Sequence, residues 1–165
     1  MKLVPVKSQL PSIICDLRYS GANNITGHPL YESEFECQLD ALVLEHLVQA
    51  AKILQAQQLQ LVIWDAYRPA AVQQALRAVQ DNPAFVAVDS LHVQGRAVDV
   101  TLAHDDGHYL DMGTDFDEFS PRAHADYDAL STEQFMNRRR LRQAMEAAGF
   151  IQWPYEWWHY NFGGS

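Results

Sequence analysis

The stretch Ser90-Leu91-His92-Val93-Gln94-Gly95-Arg96-Ala97-Val98-Asp99 sets an imidazole and a carboxylate seven residues apart. From Val98 to Leu102 apolar and polar residues alternate, the pattern of a half-buried strand. Alternate strand side chains face opposite ways, so Asp99 shares a face with Thr101 while Val98 and Val100 turn to the core. Asp99 can therefore look into a cleft while its neighbours anchor it. Gly95 permits a turn, since glycine tolerates φ values closed to other residues. That turn can fold His92 back beside Asp99, a return too long for a helical pair and ample for a loop.

Working outward, Glu156-Trp157-Trp158-His159 supplies a second imidazole with a carboxylate three residues before it. On a straight strand the two would face opposite sides. With His159 on the strand, Glu156 belongs in the kink or loop ahead of it. Catalytic zinc sites use three protein ligands and keep a fourth position open. His92, Asp99 and His159 fill the three places, and Glu156 is left over as a base. The surplus carboxylate points to an enzyme rather than a bare metal site. Asp65-Ala66-Tyr67-Arg68-Pro69 adds a permanent positive charge whose planar fork suits an oxyanion.

The rest of the 165 residues read as one domain, residues 1–165, large enough to bury a core without disulfide or metal staples. Leu39, Leu42, Val43, Leu47, Ala50, Ala51 and Leu54 have the spacing of a helix over 38–58 with one buried stripe. Leu59 to Trp64 reads as a short buried strand, and a helix over 70–80 follows with Pro69 at its start. Asp106-Gly107 signals a hairpin after the Asp99 strand, and residues 113–130 read as acidic loop. Ser131 and Gln134 resemble a capping box for a helix that runs to Gly149. The aromatic tail 150–162 is strand-like, with a kink near Pro154. Helices and hairpins in mixed order give an α+β fold, not repeating βαβ units.

Ser-x-His-x-x-Gly-x-Ala-x-Asp followed far downstream by Glu-x-x-His resembles the zinc D,D-peptidases of the M15 family. Glu-Trp-Trp-His, Tyr67-Arg68-Pro69, Asp16-Leu17-Arg18-Tyr19 and Met112-Gly113-Thr114-Asp115-Phe116-Asp117 narrow it to D-alanyl-D-alanine dipeptidases of the vancomycin-resistance type. The resemblance implies a small antiparallel sheet flanked by helices, the hedgehog/D,D-peptidase-like fold, with one Zn²⁺ per chain on one sheet face. It implies hydrolysis of D-alanyl-D-alanine to two D-alanines by a metal-activated water, with Glu156 as general base and Arg68 as oxyanion stabiliser. Asp117 would contact the substrate amino group, Ser90 would assist there, and Tyr19 would line the pocket. Alternatives are a D,D-carboxypeptidase or murein endopeptidase of the same family, or a non-catalytic zinc-binding module. Loss of catalysis should show as a missing base or oxyanion donor, and both Glu156 and Arg68 are present.

A formal net charge of −9 argues against a nucleic-acid partner, which needs a basic face, and against anionic membranes. Apolar residues at 48% and charged residues at 20% fit an ordinary globular chain whose expected partner is a small dipeptide. No stretch is long and apolar enough for a membrane span, and Met1–Val6 is too short for a secretory core. Cys15 and Cys37 fit a reduced cytoplasm, though a bridge between them is left open. Of the seven histidines, His28, His46, His104, His108 and His124 have no motif context and read as structural or solvent-facing. The simplest reading of Trp153, Trp157 and Trp158 is core, and the plainer alternative for Arg68 is a helix-start arginine paired with Asp65. Sequence leaves the oligomeric state unknown.

Overall fold

A computed structural model describes residues 1–163. Its centre is a five-stranded sheet in the order β2-β4-β5-β7-β6. These strands are β2 (Ile14–Cys15), β4 (Leu59–Asp65), β5 (Ala97–His104), β7 (His159–Phe162) and β6 (Phe150–Gln152). β4, β5, β7 and β6 pair antiparallel, as expected, but β2 runs parallel to β4, so the sheet is mixed. Two residues of β2 leave too little alternation to be read as a strand.

β1 (Leu3–Pro5) and β3 (Gln38–Asp40) form a separate antiparallel ribbon. This corrects the expected start of the first helix: Leu39 is buried by pairing with Val4, not by a helical stripe. Helix α1 (Ala41–Gln55) begins after Asp40, whose side chain accepts from the Leu42 amide at 3.2 Å. Capping satisfies one of the donors that a helix start leaves open. Val43, Leu44, Leu47, Ala50 and Leu54 form its buried stripe, whereas Leu42 is exposed.

Helix α2 (Ala70–Val79) follows Pro69, which is the residue before the first turn and not in it. Helix α3 (Thr132–Ala147) opens on the expected capping box, with Ser131 and Gln134 each bonded to the other's backbone amide. It ends just before Gly149, whose φ of +88° is the left-handed conformation that glycine tolerates. The turn at 105–108 closes a short hairpin, and the 150–162 tail folds back on itself as β6 and β7 around Pro154. Between 113 and 130 the chain is irregular apart from a 3₁₀ turn at Pro121–Ala123.

Strand register builds the working face. Asp65 pairs with Asp99, and Asp99 with His159, so the three lie in one row across β4, β5 and β7. Cross-strand partners on one face sit about 4.5–5.5 Å apart at Cβ. A register shift between Ile63 and Asp65, the mark of a bulge, places Asp65 in that row.

Candidate active site

His92 sits on a 3₁₀ turn (Leu91–Gln94), with the Ser90 hydroxyl accepting from the His92 amide at 3.3 Å. Gly95 ends the turn with φ +63°, as the sequence requires. A Cβ there would also lie 2.7 Å from Leu3 Cδ2 and 2.9 Å from the Asp40 amide nitrogen. Glycine is therefore needed both for backbone freedom and for space. The Arg68 amide donates to the His92 carbonyl at 3.1 Å, tying this turn to the end of β4.

His92 Nε2, His159 Nδ1 and Asp99 Oδ1 form a nearly equilateral triangle. Their separations are 3.2 Å between the imidazoles, 2.9 Å from His159 to Asp99 and 3.4 Å from His92 to Asp99. Tetrahedral coordination at zinc–ligand distances of about 2.0–2.1 Å requires ligand atoms about 3.3 Å apart. The triangle fits that ion. Among the described residues this is the group of three that could hold a metal.

The outer partners agree. His92 Nδ1 lies 2.7 Å from the Ala66 carbonyl, which can only accept, so Nε2 carries the lone pair toward the cluster. His159 Nε2 faces Asn161 Oδ1 at 2.9 Å, which leaves Nδ1 free to face the triangle. Asn161 was not singled out from the sequence. Its only signal was position, two residues beyond His159 on the same strand face.

Glu156 lies in the turn before β7, buried, with a carboxylate oxygen 3.9 Å from His159 Nδ1. Burial, then the Asp99 and Asp117 charges, push its carboxyl well above the usual range, while Arg68 works the other way. A raised proton affinity suits a group that takes up a proton and passes it on.

Arg68 is buried and pinned from two sides. Its Nε and Nη2 donate to Asp65 Oδ2 at 2.8 and 2.7 Å, and Nη1 donates to Gln73 Oε1 at 2.6 Å. Arg68 thus pairs with Asp65, as the plainer reading expects, and also lines the cavity. Burial alone would weaken its charge, and the Asp65 carboxylate beside it more than restores it. Tyr31 also hydrogen-bonds Asp65. Gln73 extends the clamp, donating to the Ala87 carbonyl at 2.7 Å. Tyr31 and Gln73 had no motif to mark them. Each is visible only once the chain brings α2 and the 16–36 segment around Asp65.

In the same cavity, Asp117 takes a left-handed φ of +57°. It accepts from the Tyr19 hydroxyl at 3.2 Å and the Ile25 amide at 3.0 Å. Burial lifts its carboxyl to about 7, against the Ile25 amide and the Arg68 charge, which favour the anion. The Arg68 guanidinium rests 5.0 Å from the Tyr19 ring centre.

Tyr19, Arg68, Ser90, His92, Asp99, Asp117, Glu156 and His159 all line one cavity of about 480 Å³. Phe85, Phe119, Trp153 and Trp158 supply its apolar wall. The tryptophans divide: Trp157 is core, Trp158 is buried with one face on the cavity, and Trp153 is a wall held by donation to the Ala84 carbonyl at 2.7 Å. His28, His46, His104, His108 and His124 stand outside this cavity.

A His₂-carboxylate triangle with a free glutamate and an arginine in one cavity is the equipment of a metal-dependent hydrolase. The fold agrees with that class. The D,D-pentapeptidase VanY from a VanB-type vancomycin-resistance cassette, solved in complex with Zn(II), superposes with a TM-score of 0.52 at 19% identity, covering 81% of this chain and 78% of that one. A VanYB structure in complex with D-alanine-D-alanine gives a TM-score of 0.51 at 20% identity, covering 82% and 80%. The chain belongs to the peptidase family M15, in the group described as D-Ala-D-Ala dipeptidase, whose profile matches residues 1–165, and it is a metallopeptidase. Among its relatives, the D-alanyl-D-alanine dipeptidase of Escherichia coli K12 is 36% identical over 97% of this chain and 84% of its own length. That of Enterococcus faecium is 31% identical over 88% and 83%.

Proposed function

We propose that this chain binds one zinc ion through His92, Asp99 and His159 and hydrolyses the free dipeptide D-alanyl-D-alanine to two D-alanines. The observation that carries the dipeptide reading is Asp117, a half-buried carboxylate in the wall of the cavity that also holds Glu156 and Arg68. A free dipeptide brings an ammonium group as well as a carboxylate. Asp117 is the anion available to the ammonium, with Ser90 also in the cavity wall and Tyr19 holding Asp117 in place.

Held by His92, Asp99 and His159, zinc would lower the pKa of a water molecule toward about 7 and polarise a carbonyl. Glu156 takes a proton from the attacking water and delivers it to the departing amine. Arg68 has five N–H donors, of which three are engaged with Asp65 and Gln73. The remaining two are available to an oxygen gaining negative charge. The apolar wall of Phe85, Phe119 and Trp153 excludes water and strengthens these charge interactions. No helix among the described residues is long and apolar enough to cross a membrane.

Amino-terminal recognition is tested with the acetylated dipeptide. N-acetyl-D-Ala-D-Ala lacks the ammonium and should be cleaved poorly, if at all, by the native enzyme. Asp117→Ala should mainly raise KM for D-Ala-D-Ala. The native KM should also rise as pH falls below about 7, because Asp117 binds an ammonium only as the anion and its raised pKa empties that form from neutrality downward. Efficient hydrolysis of the acetylated dipeptide would instead favour a carboxypeptidase acting on longer stem peptides.

Arg68→Ala should lower kcat by about 10²–10³-fold with a smaller change in KM, the signature of an interaction made in the transition state. Arg68→Lys should recover little, since an ammonium cannot hold Asp65 and Gln73 while presenting two further donors. Because Asp65 would be left buried without its cation, thermal melting must accompany the kinetics. A native kcat in a folded Arg68→Lys protein would remove the planar fork from the mechanism.

A further inference from the structure

A second cavity, of about 670 Å³, shares no lining residue with the active site. Cys15, at the end of β2, and Cys37, just before β3, both line it, together with Lys7, Asp16, Arg18 and Glu36. Cys15 is half-buried and Cys37 buried, and each thiol is the main influence on the other's acidity. No third ligand joins them among the described residues, so the pair is not a metal site.

The two cysteines bracket the segment 16–36, which carries three contacts to the active site. These are the Tyr19 hydroxyl and the Ile25 amide on Asp117, and the Tyr31 hydroxyl on Asp65. We propose that Cys15 and Cys37 are a dithiol modification site, oxidised by a small-molecule disulfide to an intramolecular bridge that fastens the base of this segment. Cys15 attacks one sulfur of the small disulfide, forming a mixed disulfide and releasing one thiol that keeps the Cys15 proton. Cys37 then attacks the Cys15 sulfur and expels the second thiol with its own proton. Two protein thiols are oxidised to a disulfide as one small disulfide is reduced to two thiols.

The order of attack follows from the surroundings. The Cys37 thiol, helped by the Lys7 charge and opposed by burial, holds the Cys15 thiol below its ordinary pKa. The Cys15 thiol and burial push the Cys37 thiol up. The thiolate is the nucleophile, so Cys15 reacts first and Cys37 resolves.

The test uses the full zinc-loaded protein treated with glutathione disulfide. Intact mass should fall by two hydrogens, peptide mapping without reductant should join the Cys15 and Cys37 peptides, and dithiothreitol should reverse both. Closing a ring over 16–36 should raise the thermal midpoint by about 3–10 °C, with D-Ala-D-Ala hydrolysis retained. Cys37→Ser should stop at a stable glutathione adduct on Cys15, and Cys15→Ser should stay unmodified. In the native protein, a persistent adduct on Cys15 with Cys37 free, or no change in thiol count, would overturn the site. A bridge that lowered the midpoint would overturn the fastening role.

Discussion

Glu156→Ala should keep its zinc and lose about 10²–10⁴-fold in kcat, the usual contribution of a positioned general base. The expectation rests on two separations. The carboxylate stands 3.9 Å from the His159 ligand nitrogen, beside the triangle and outside it. The triangle itself is complete without it, with edges of 2.9, 3.2 and 3.4 Å. Glu156→Gln is the closer isostere and should fail equally, since an amide cannot accept the proton. Metal content, melting and kinetics on the same preparations decide the matter. Near-native kcat in a zinc-replete variant would assign proton transfer to another group, whereas loss of zinc would make Glu156 a ligand.

His92→Ala and His159→Ala should each lose the metal and fall to background activity, the largest effect expected of any substitution here. Removal of an outer partner such as Asn161 should cost about 10–100-fold in metal affinity. Loss of a ligand should exceed that. Each leaves Asp99 buried beside a single imidazole and an Arg68 nitrogen 3.6 Å away. Equilibrium dialysis against a chelator, with melting followed in parallel, reads affinity and folding separately. Because a ligand set assembles only in the native chain, zinc should also raise the midpoint of the native protein and leave that of either variant unmoved. Stoichiometric zinc in both folded variants would refute the ligand set.

The site was more legible in the sequence than the sheet around it. His92, Asp99, His159 and Glu156 are marked by residue type and short spacing, which local chain geometry converts directly into neighbours. The Gly95 turn and the alternation at Val98–Leu102 already implied that Asp99 and His92 meet. β2 and β3 stayed hidden because two or three residues carry no periodicity, and Leu39 fitted a helical stripe by coincidence of spacing. Asp65 was seen only as a partner for Arg68. Its place beside Asp99 depends on the shifted pairing of β4 with β5, a relation between segments far apart in the chain. Gln73, Tyr31 and Asn161 act through other residues, and ordinary polar side chains in such roles leave no pattern of their own.

The row Asp65–Asp99–His159 also makes the chemistry a matter of parity. Each strand side chain faces opposite to the next, so inserting or deleting one residue ahead of Asp99 within β5 would turn the carboxylate from the cavity toward the core. The hydrophobic residues would be exchanged to the wrong side by the same step. Strand lengths on this face can change only in pairs if both core and catalysis are to survive. The irregular stretches at 80–90 and 113–130, which wall the cavity without belonging to the row, are under no such arithmetic. Lengthening them costs mainly loop entropy, which grows slowly. Divergence in which dipeptide fits should therefore be written in insertions and deletions there, while the Asp65–Asp99–His159 row stays fixed in count.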